Sequence, residues 1–179
     1  MLAGPVDQGA TRHRVVGLRD GVHIERWSEE DLALLTALNS DPVQMRHIGG
    51  AESAEKIAER QQRYAKDPFQ FRIVDGGESA GWVGFWEREW RGEKVYEIGW
   101  SVLPDFQGRG LATAATGLAL EATRADHVPA LPVQAFPGVE NAPSNAVCRK
   151  LGFSLVEAGM SFEFPPGTMM VCNDWRWEG

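Results

Sequence analysis

The chain has 179 residues, of which 43% are hydrophobic and 24% are charged, and its formal net charge at pH 7 is −7. This composition is typical of one folded domain and excludes a disordered chain, while the acidic balance disfavours a nucleic-acid reader, which needs a basic face for phosphates. Cys148 and Cys172 stand in no zinc-binding spacing, and no apolar run approaches the ~20 residues that span a membrane. We therefore expect a cytoplasmic protein with no metal site, no nucleic-acid partner and no membrane anchor.

The first half of the chain predicts a short strand region followed by three helices. Residues 1–12 hold few hydrophobic side chains, so we expect a flexible leader followed by a single domain over residues 13–179. Capping residues and apolar spacing mark the helix starts. The predicted elements are strands near residues 15–16 and 21–27, a helix over 28–39, a short helix from 42 to the glycines at 49–50, and a helix over 53–66.

The second half predicts an antiparallel run and then alternating strands and helices. The predicted strands cover residues 69–74, 79–90, 95–103, 131–136, 153–157 and 169–177. The predicted helices cover residues 111–126 and 142–151. This order indicates a mixed α+β fold in which a mainly antiparallel sheet is flanked by helices.

A glycine loop separates the strand at 95–103 from the helix at 111–126. Gly108 and Gly110 free backbone N–H groups to converge at the positive end of the helix, where phosphate or pyrophosphate is the natural occupant. The chain has no G-x-x-x-x-G-K-[ST] string, and Thr113 stands where a dinucleotide fingerprint needs its third glycine. A glycine turn without a ligand is the remaining alternative.

Gln107, Gly110 and Ala112 fit the pattern [Q/R]-x-x-G-x-[G/A], by which the chain resembles the GNAT superfamily of acyl-CoA N-acyltransferases. Residues 24–32, 41–46 and 97–107 are similar to its ribosomal-protein alanine acetyltransferase (RimJ/RimL-like) branch, and residues 141–153 look like a second coenzyme A segment of the superfamily. The resemblance covers about residues 22–177. It implies an acetyl-CoA-dependent N-acetyltransferase whose sheet is splayed between the Val95 and Leu131 strands.

The resemblance also implies which residues bind acetyl-CoA. Val102 and Leu103 would pair with the pantetheine arm, and Asn141 opens the second coenzyme A segment. The loop residues that would hold the pyrophosphate are Gln107, Gly108, Arg109, Gly110, Leu111, Ala112 and Thr113.

Glu97 and Ser144 are the predicted catalytic residues for direct acetyl transfer, because an alkylammonium must lose a proton before it attacks a thioester. Glu97 lies where related transferases often carry a general-base glutamate, and a solvent-facing strand acid is the alternative. Ser144 shares a helix face with Asn141 and Cys148 and is the candidate to protonate the leaving thiolate, or is only a helix cap. Many relatives carry tyrosine at the position of Cys148, which we expect to be a small buried residue.

Trp82, Trp86 and Trp90 fall on one face of a predicted strand. Such a stripe favours core or a subunit interface, which leaves a homodimer open, and an acceptor-pocket wall is the alternative. No histidine is nominated for the site. Loops at 45–51 and 161–168 are expected to shape the choice of acceptor.

The expected acceptor is a primary amine. The branch resemblance favours a peptide or protein N-terminus, and a small amine, including an aminoglycoside antibiotic, is the rival. A non-catalytic acyl-CoA-binding or regulatory module on the same fold is the alternative from a different functional class.

Overall fold

The computed structural model describes residues 15–19, 21–47, 49–126, 130–163, 167 and 169–179. The predicted leader, residues 1–12, lies outside these ranges. The described strands are β1 (Val15–Arg19), β2 (Val22–Arg26), β3 (Gln70–Asp75), β4 (Glu78–Trp90), β5 (Glu93–Val102), β6 (Val133–Ala135), β7 (Ser154–Glu163) and β8 (Met169–Trp177). They form one sheet in the order β1-β2-β3-β4-β5-β6-β8-β7, in which only β5 and β6 run parallel.

Helices connect the strands where the sequence supplies capping residues. The described helices are α1 (Leu32–Asn39), α2 (Pro42–Met45), α3 (Ala54–Tyr64), α4 (Leu111–Asp126) and α5 (Ala142–Lys150). Ser28 and Asp31 form a capping box ahead of α1, Ser53 caps α3, and Asn141 caps α5. Among the described helices, none has the length and apolar character to cross a membrane.

The two faces of the sheet are covered by different helices. Strand alternation places Val83 and Phe85 of β4 on the face that packs against α4 in the main core. Trp82, one residue from Val83, lies on the opposite face against a second cluster built from α1 and α3. The sheet is therefore enclosed by helices on both sides along its central strands.

The parallel pair of β5 and β6 opens after two residues. Tyr96 pairs with Val133 and Glu97 with Gln134, and β5 then continues alone on that edge among the described residues. β6 is shorter than its predicted range of 131–136 because the chain leaves the sheet after Ala135. The predicted α+β arrangement and its splayed strand pair are both confirmed.

Candidate active site

A cavity of about 290 Å³ lies over the splayed edge of β5. One side is formed by Ile98–Ser101 of β5, by the segment 135–138 that follows β6, and by Asn141 and Ser144 of the α5 start. The other side is formed by α1, α3 and the segment between α2 and α3. The opening in the sheet and the helical layer thus enclose one space.

The glycine loop continues from the end of β5 into α4. Gly108 and Gly110 have φ values of 75° and 80°, which L-residues with a side chain rarely adopt, and no atom lies within 4 Å of a Cβ built at either position. The side-chain amide of Gln107 donates to the Val102 carbonyl at 2.9 Å, which holds the loop against the end of β5. Arg109 forms an ion pair with Asp75 at 2.6 Å.

The start of α4 supplies further donors to this loop. Leu111, Ala112 and Thr113 form its first turn, whose N–H groups have no carbonyl partner within a helix. The N–H of Ala114 is the one that returns to the Gly110 carbonyl, at 3.0 Å. An open glycine loop at the start of a 16-residue helix suits a pyrophosphate.

The open edge of β5 presents backbone groups toward the splay. The N–H of Tyr96 bonds to Pro132 and that of Leu103 bonds to Ala80, each at 2.9 Å, so even-numbered residues face β6 and odd-numbered residues face β4. The N–H groups of Trp100 and Val102 consequently point to the open edge. Leu103 has both backbone groups engaged, since its carbonyl accepts from the Phe106 N–H at 2.9 Å. Trp100, which the sequence analysis did not select, is therefore better placed than Leu103 to pair with pantetheine.

The first turn of α5 brings Asn141 and Ser144 to the cavity wall. The Asn141 side chain caps the helix by accepting from the Ser144 N–H at 3.1 Å. Cys148, on the same helix, is completely buried in the main core, as expected, and burial raises the pKa of its thiol to about 12. Of Ser144 and Cys148, therefore, only Ser144 lines the cavity.

Asn145 fixes this end of the cavity and was missed by the sequence analysis. It is 4% exposed, and its amide donates to the Gly138 and Asn141 carbonyls at 2.9 Å each. Its oxygen accepts from Asn173 at 2.8 Å and from the Trp175 indole at 2.9 Å. These four bonds join α5, the segment after β6 and β8.

Glu97 lies on β5 opposite Trp86 and forms an ion pair with Arg88. The Arg88 guanidinium lies 4.9 Å from the Trp90 ring centroid and 5.3 Å from that of Phe136, which limits its movement. Burial raises the pKa of Glu97, although Arg88 and Trp86 act to lower it. Glu97 does not itself line the cavity, whereas Trp86 and Phe136 do.

The tryptophan stripe of β4 forms part of the cavity wall. Trp82 and Trp86 both line the cavity, in agreement with the pocket-wall alternative, and Trp82 also packs against the second cluster, in agreement with a core role. Tyr64 stacks on Trp82 with centroids 5.4 Å apart and an interplanar angle of 11°. Gly99 leaves room for the indoles, because a Cβ there would lie 3.1 Å from Trp82 and 3.4 Å from Trp86.

Trp90, the third member of the stripe, lies outside the cavity lining. Its ring packs edge-on against Phe136 with centroids 4.8 Å apart. Its indole N–H donates to the fully buried Asp174 at 3.1 Å. Trp90 therefore supports the wall from behind, through Phe136.

Charged residues of α3 and the segment before it line one end of the cavity. Arg60 donates through Nε to Glu52 at 3.0 Å, forms an ion pair with it, and donates to the Tyr64 hydroxyl at 3.1 Å. Burial opposes the charge of Arg60, but its bonds to Glu52 and Tyr64 raise its pKa, so it remains a cation. Lys56 also lines this end. Lys56, Arg60 and Tyr64 follow the i, i+4 spacing of one helix face, a signal that the sequence already carried.

The two loops expected to shape acceptor choice are partly described. Met45, His47 and the residues 49–51 line the cavity. His47 was not nominated from sequence, and its Nε2 lies 3.0 Å from the Nε of Arg46, which donates to it. In the second loop, residues 164–166 and 168 lie outside the described ranges, while Met170 beyond them lines the cavity. Within the described part of the chain, no group of His, Cys, Asp and Glu side chains is arranged to hold a metal ion.

Solved structures with the same fold include several acetyltransferases. The apo structure of RimL, a ribosomal α-N-protein acetyltransferase, is 20% identical, covers 97% of this chain and 99% of its own, and has a TM-score of 0.75. A GNAT-family acetyltransferase from Bacillus anthracis is 22% identical, with coverages of 91% and 96% and a TM-score of 0.70. Spermidine N-acetyltransferase from Vibrio cholerae, in complex with CoA and spermine, is 18% identical, with coverages of 89% and 96% and a TM-score of 0.72. At these identities the likeness shows the fold.

Family membership comes from the sequence profile. The model of the acetyltransferase (GNAT) domain matches residues 22–154, which include the glycine loop, the open edge of β5 and all of α5. No curated protein matches the chain significantly in sequence. The chain belongs to the GNAT family and is an acetyl-CoA-dependent N-acetyltransferase.

Proposed function

We propose that the protein transfers the acetyl group of acetyl-CoA directly to a primary amine held in the cavity, without an acyl-enzyme, and that residues 13–179 form one domain for this purpose. One observation carries the proposal. A single cavity is lined both by the open edge of β5, which leads into the glycine loop, and by the aromatic wall of Trp82 and Trp86. A donor on the strand and an acceptor on the wall would meet there.

The donor would lie along β5 with its pyrophosphate at the glycine loop. The loop residues Gln107 to Thr113 supply N–H groups at a helix start, with Arg109 beside them. The N–H groups of Trp100 and Val102 face the splay and would bind the pantetheine amides. This arrangement brings the thioester toward Asn141 and Ser144, which line the same cavity.

The reaction would proceed by attack of the neutral amine on the thioester carbonyl carbon. A C–N bond forms and the carbonyl electron pair moves to oxygen, where an N–H of the open β5 edge would stabilise the charge. Collapse re-forms the carbonyl and breaks the C–S bond. The Ser144 hydroxyl would donate a proton to the departing thiolate and regain one from the nitrogen of the intermediate, which loses this proton as it becomes an amide nitrogen. Glu97 would accept, through water, the proton that the ammonium loses before attack, since Glu97 lies beside the cavity and does not line it.

The acceptor candidates follow from the relatives that share the fold. The likeness to RimL over nearly the whole of both chains supports a peptide or protein N-terminus. The likeness to spermidine N-acetyltransferase supports a small amine. A peptide N-terminus and a small amine would each be acetylated on a primary amine by the same reaction.

Mass spectrometry of acetyl transfer to a panel of peptides, small amines and aminoglycosides, with calorimetric titration of acetyl-CoA, tests the proposal. We expect acetyl-CoA to bind and at least one amine class to be acetylated. Binding without transfer to any member of the panel would contradict the proposed acceptors and favour the non-catalytic alternative. Absence of acetyl-CoA binding would overturn the proposal.

Two variants test the catalytic roles. Ser144→Ala should lower kcat about tenfold or more while leaving acetyl-CoA binding unchanged. Glu97→Gln should lower the rate most at neutral pH and less at high pH, where more of the amine is already neutral. Glu89→Gln, an exposed acid on β4, is the matched control and should have no effect. An unchanged pH profile for Glu97→Gln would remove Glu97 from the base role.

A further inference from the structure

We propose that the acceptor carries an anionic group, such as a carboxylate, on the same molecule as its amine, and that Lys56 and Arg60 bind this group. The inference rests on the proposed acetyl transfer and narrows its acceptor class. It follows from the charges at the end of the cavity that α3 and the segment before it line.

The lining of this end is net positive, although the whole chain is strongly acidic. Among the described residues that line the cavity, Glu52 is the one acid, and Lys56 and Arg60 are the lysine and arginine. Both oxygens of Glu52 are occupied by Arg60, one by Nε at 3.0 Å and the other by an Nη. The acid is therefore already neutralised before an acceptor arrives.

Lys56 carries the positive charge that remains at this end once Glu52 and Arg60 have neutralised each other. Within the described part of the chain it has no ion-pair partner, and it lies one helical turn before Arg60 on the same face of α3. Of the five N–H donors of Arg60, three serve Glu52 and Tyr64, which leaves two for a ligand. An ammonium and two guanidinium donors on one helix face are suited to a carboxylate.

The same charges disfavour a polycationic acceptor. A second ammonium placed at this end would face Lys56 and Arg60, and the paired Glu52 offers it little compensation. The aromatic side chains Tyr64, Trp82, Trp86 and Phe136 would cover the carbon skeleton between the two ends of an acceptor. The cavity therefore selects for an amine with an apolar spacer and an anionic end, and against polyamines and aminoglycosides.

Matched acceptors that differ only in their far end test this inference. Aminoalkanoic acids of graded length are compared with their amides and with diamines of the same length, by coupled detection of free coenzyme A. We expect the carboxylate to have a KM about tenfold below that of its amide, and the diamine to have the highest KM. Equal KM values across the three series would overturn the inference while leaving acetyl transfer intact. Transfer to none of the three series, by a protein that acetylates a peptide or another amine, would also overturn the inference, whereas acetyl-CoA binding with no transfer to any amine or peptide would refute the proposed function.

Substitutions at Lys56 separate recognition from general damage. Lys56→Ala should raise the KM of the carboxylate about five- to tenfold and leave that of the amide unchanged, because the charge is exposed and partly screened. Lys56→Glu should reverse the order, so that the diamine becomes better than the carboxylate. Lys66→Ala and Lys66→Glu, at an exposed position just beyond α3, make the same changes in total charge and should alter none of the KM values. An equal effect of the Lys56 and Lys66 variants would overturn the assignment.

A gain-of-function variant gives an independent readout. Glu52→Gln releases Arg60 from its ion pair and increases the positive charge at this end, so the KM of the carboxylate should fall about threefold. A rise in that KM in a variant with unchanged thermal stability would contradict the inference.

Discussion

Arg88 offers a direct test of whether Glu97 is the base, because its guanidinium contacts the Glu97 carboxylate and lowers the pKa that burial has raised. A base acts only when deprotonated, so kcat/KM should fall as the pH falls through the pKa of Glu97. Arg88→Gln removes the opposing positive charge, which raises this pKa further. The acid limb of the pH profile should therefore move to higher pH.

The size of the shift follows from the exposure of the pair. Two unit charges ~4 Å apart at an effective dielectric constant of ~20 interact by about 4 kcal/mol. The side chains are 33% exposed at Arg88 and 21% exposed at Glu97, so solvent screens part of this interaction. We expect the acid limb to move to higher pH, which lowers the rate about tenfold or more on the acid side and little at high pH.

Steady-state kinetics from acid to alkaline pH, with a neutral acceptor, measure the shift. Arg88→Lys keeps the charge and should return most of the original profile. Arg63→Gln removes an exposed arginine on α3 and should leave the limb in place. A limb that stays fixed in Arg88→Gln would refute the reasoning, and an equal loss of rate at every pH would make Arg88 a packing residue only.

Three further substitutions test the walls of the site. Gly99→Ala puts a methyl 3.1 Å from Trp82 and 3.4 Å from Trp86, so acceptor kinetics should show a KM raised about fivefold, with acetyl-CoA affinity by calorimetry unchanged. Gly110→Ala meets no neighbour but is forced to a φ of 80°, so acetyl-CoA should bind about tenfold more weakly by calorimetry, and unchanged affinity would count against the loop assignment. Asn145→Ala leaves buried donors unpaired and should lower the free energy of unfolding by about 3 kcal/mol in urea titrations, and a loss below ~1 kcal/mol would contradict its structural role.

The sequence predicts the bounds of an element best where they depend on neighbouring residues and not on a partner strand. α4 has its predicted bounds because an alanine- and leucine-rich stretch follows the glycine loop directly. The bounds of β6 were too wide because its length depends on where β5 diverges, and the propensity of residues 131–136 carries no information on that. Strand β7 runs to Glu163, beyond its predicted end at 157, because β8 pairs with it over that length.

Features of the candidate site were predictable from sequence where they depend on residues of a single continuous segment. The two-residue Arg91–Gly92 turn sets the register of β4 and β5, so the pairing of Trp86 with Glu97 could have been derived from sequence by counting outward from the turn. The helix face shared by Lys56 and Arg60 was also visible. Its position over the splayed strand was not, because that depends on how α3 packs against the sheet.

The charges of the cavity bear on deprotonation as well as on recognition. A carboxylate on the acceptor stabilises the ammonium of the same molecule and so makes the neutral amine harder to reach. Binding of that carboxylate by Lys56 and Arg60 would cancel this effect. Their positive charges would neutralise the carboxylate and would also disfavour the protonated form of the acceptor's amine. The ammonium of the acceptor would then lose its proton more easily. Glu97 would receive that proton through water. Selection of the acceptor and its activation would therefore depend on the same two cations of α3.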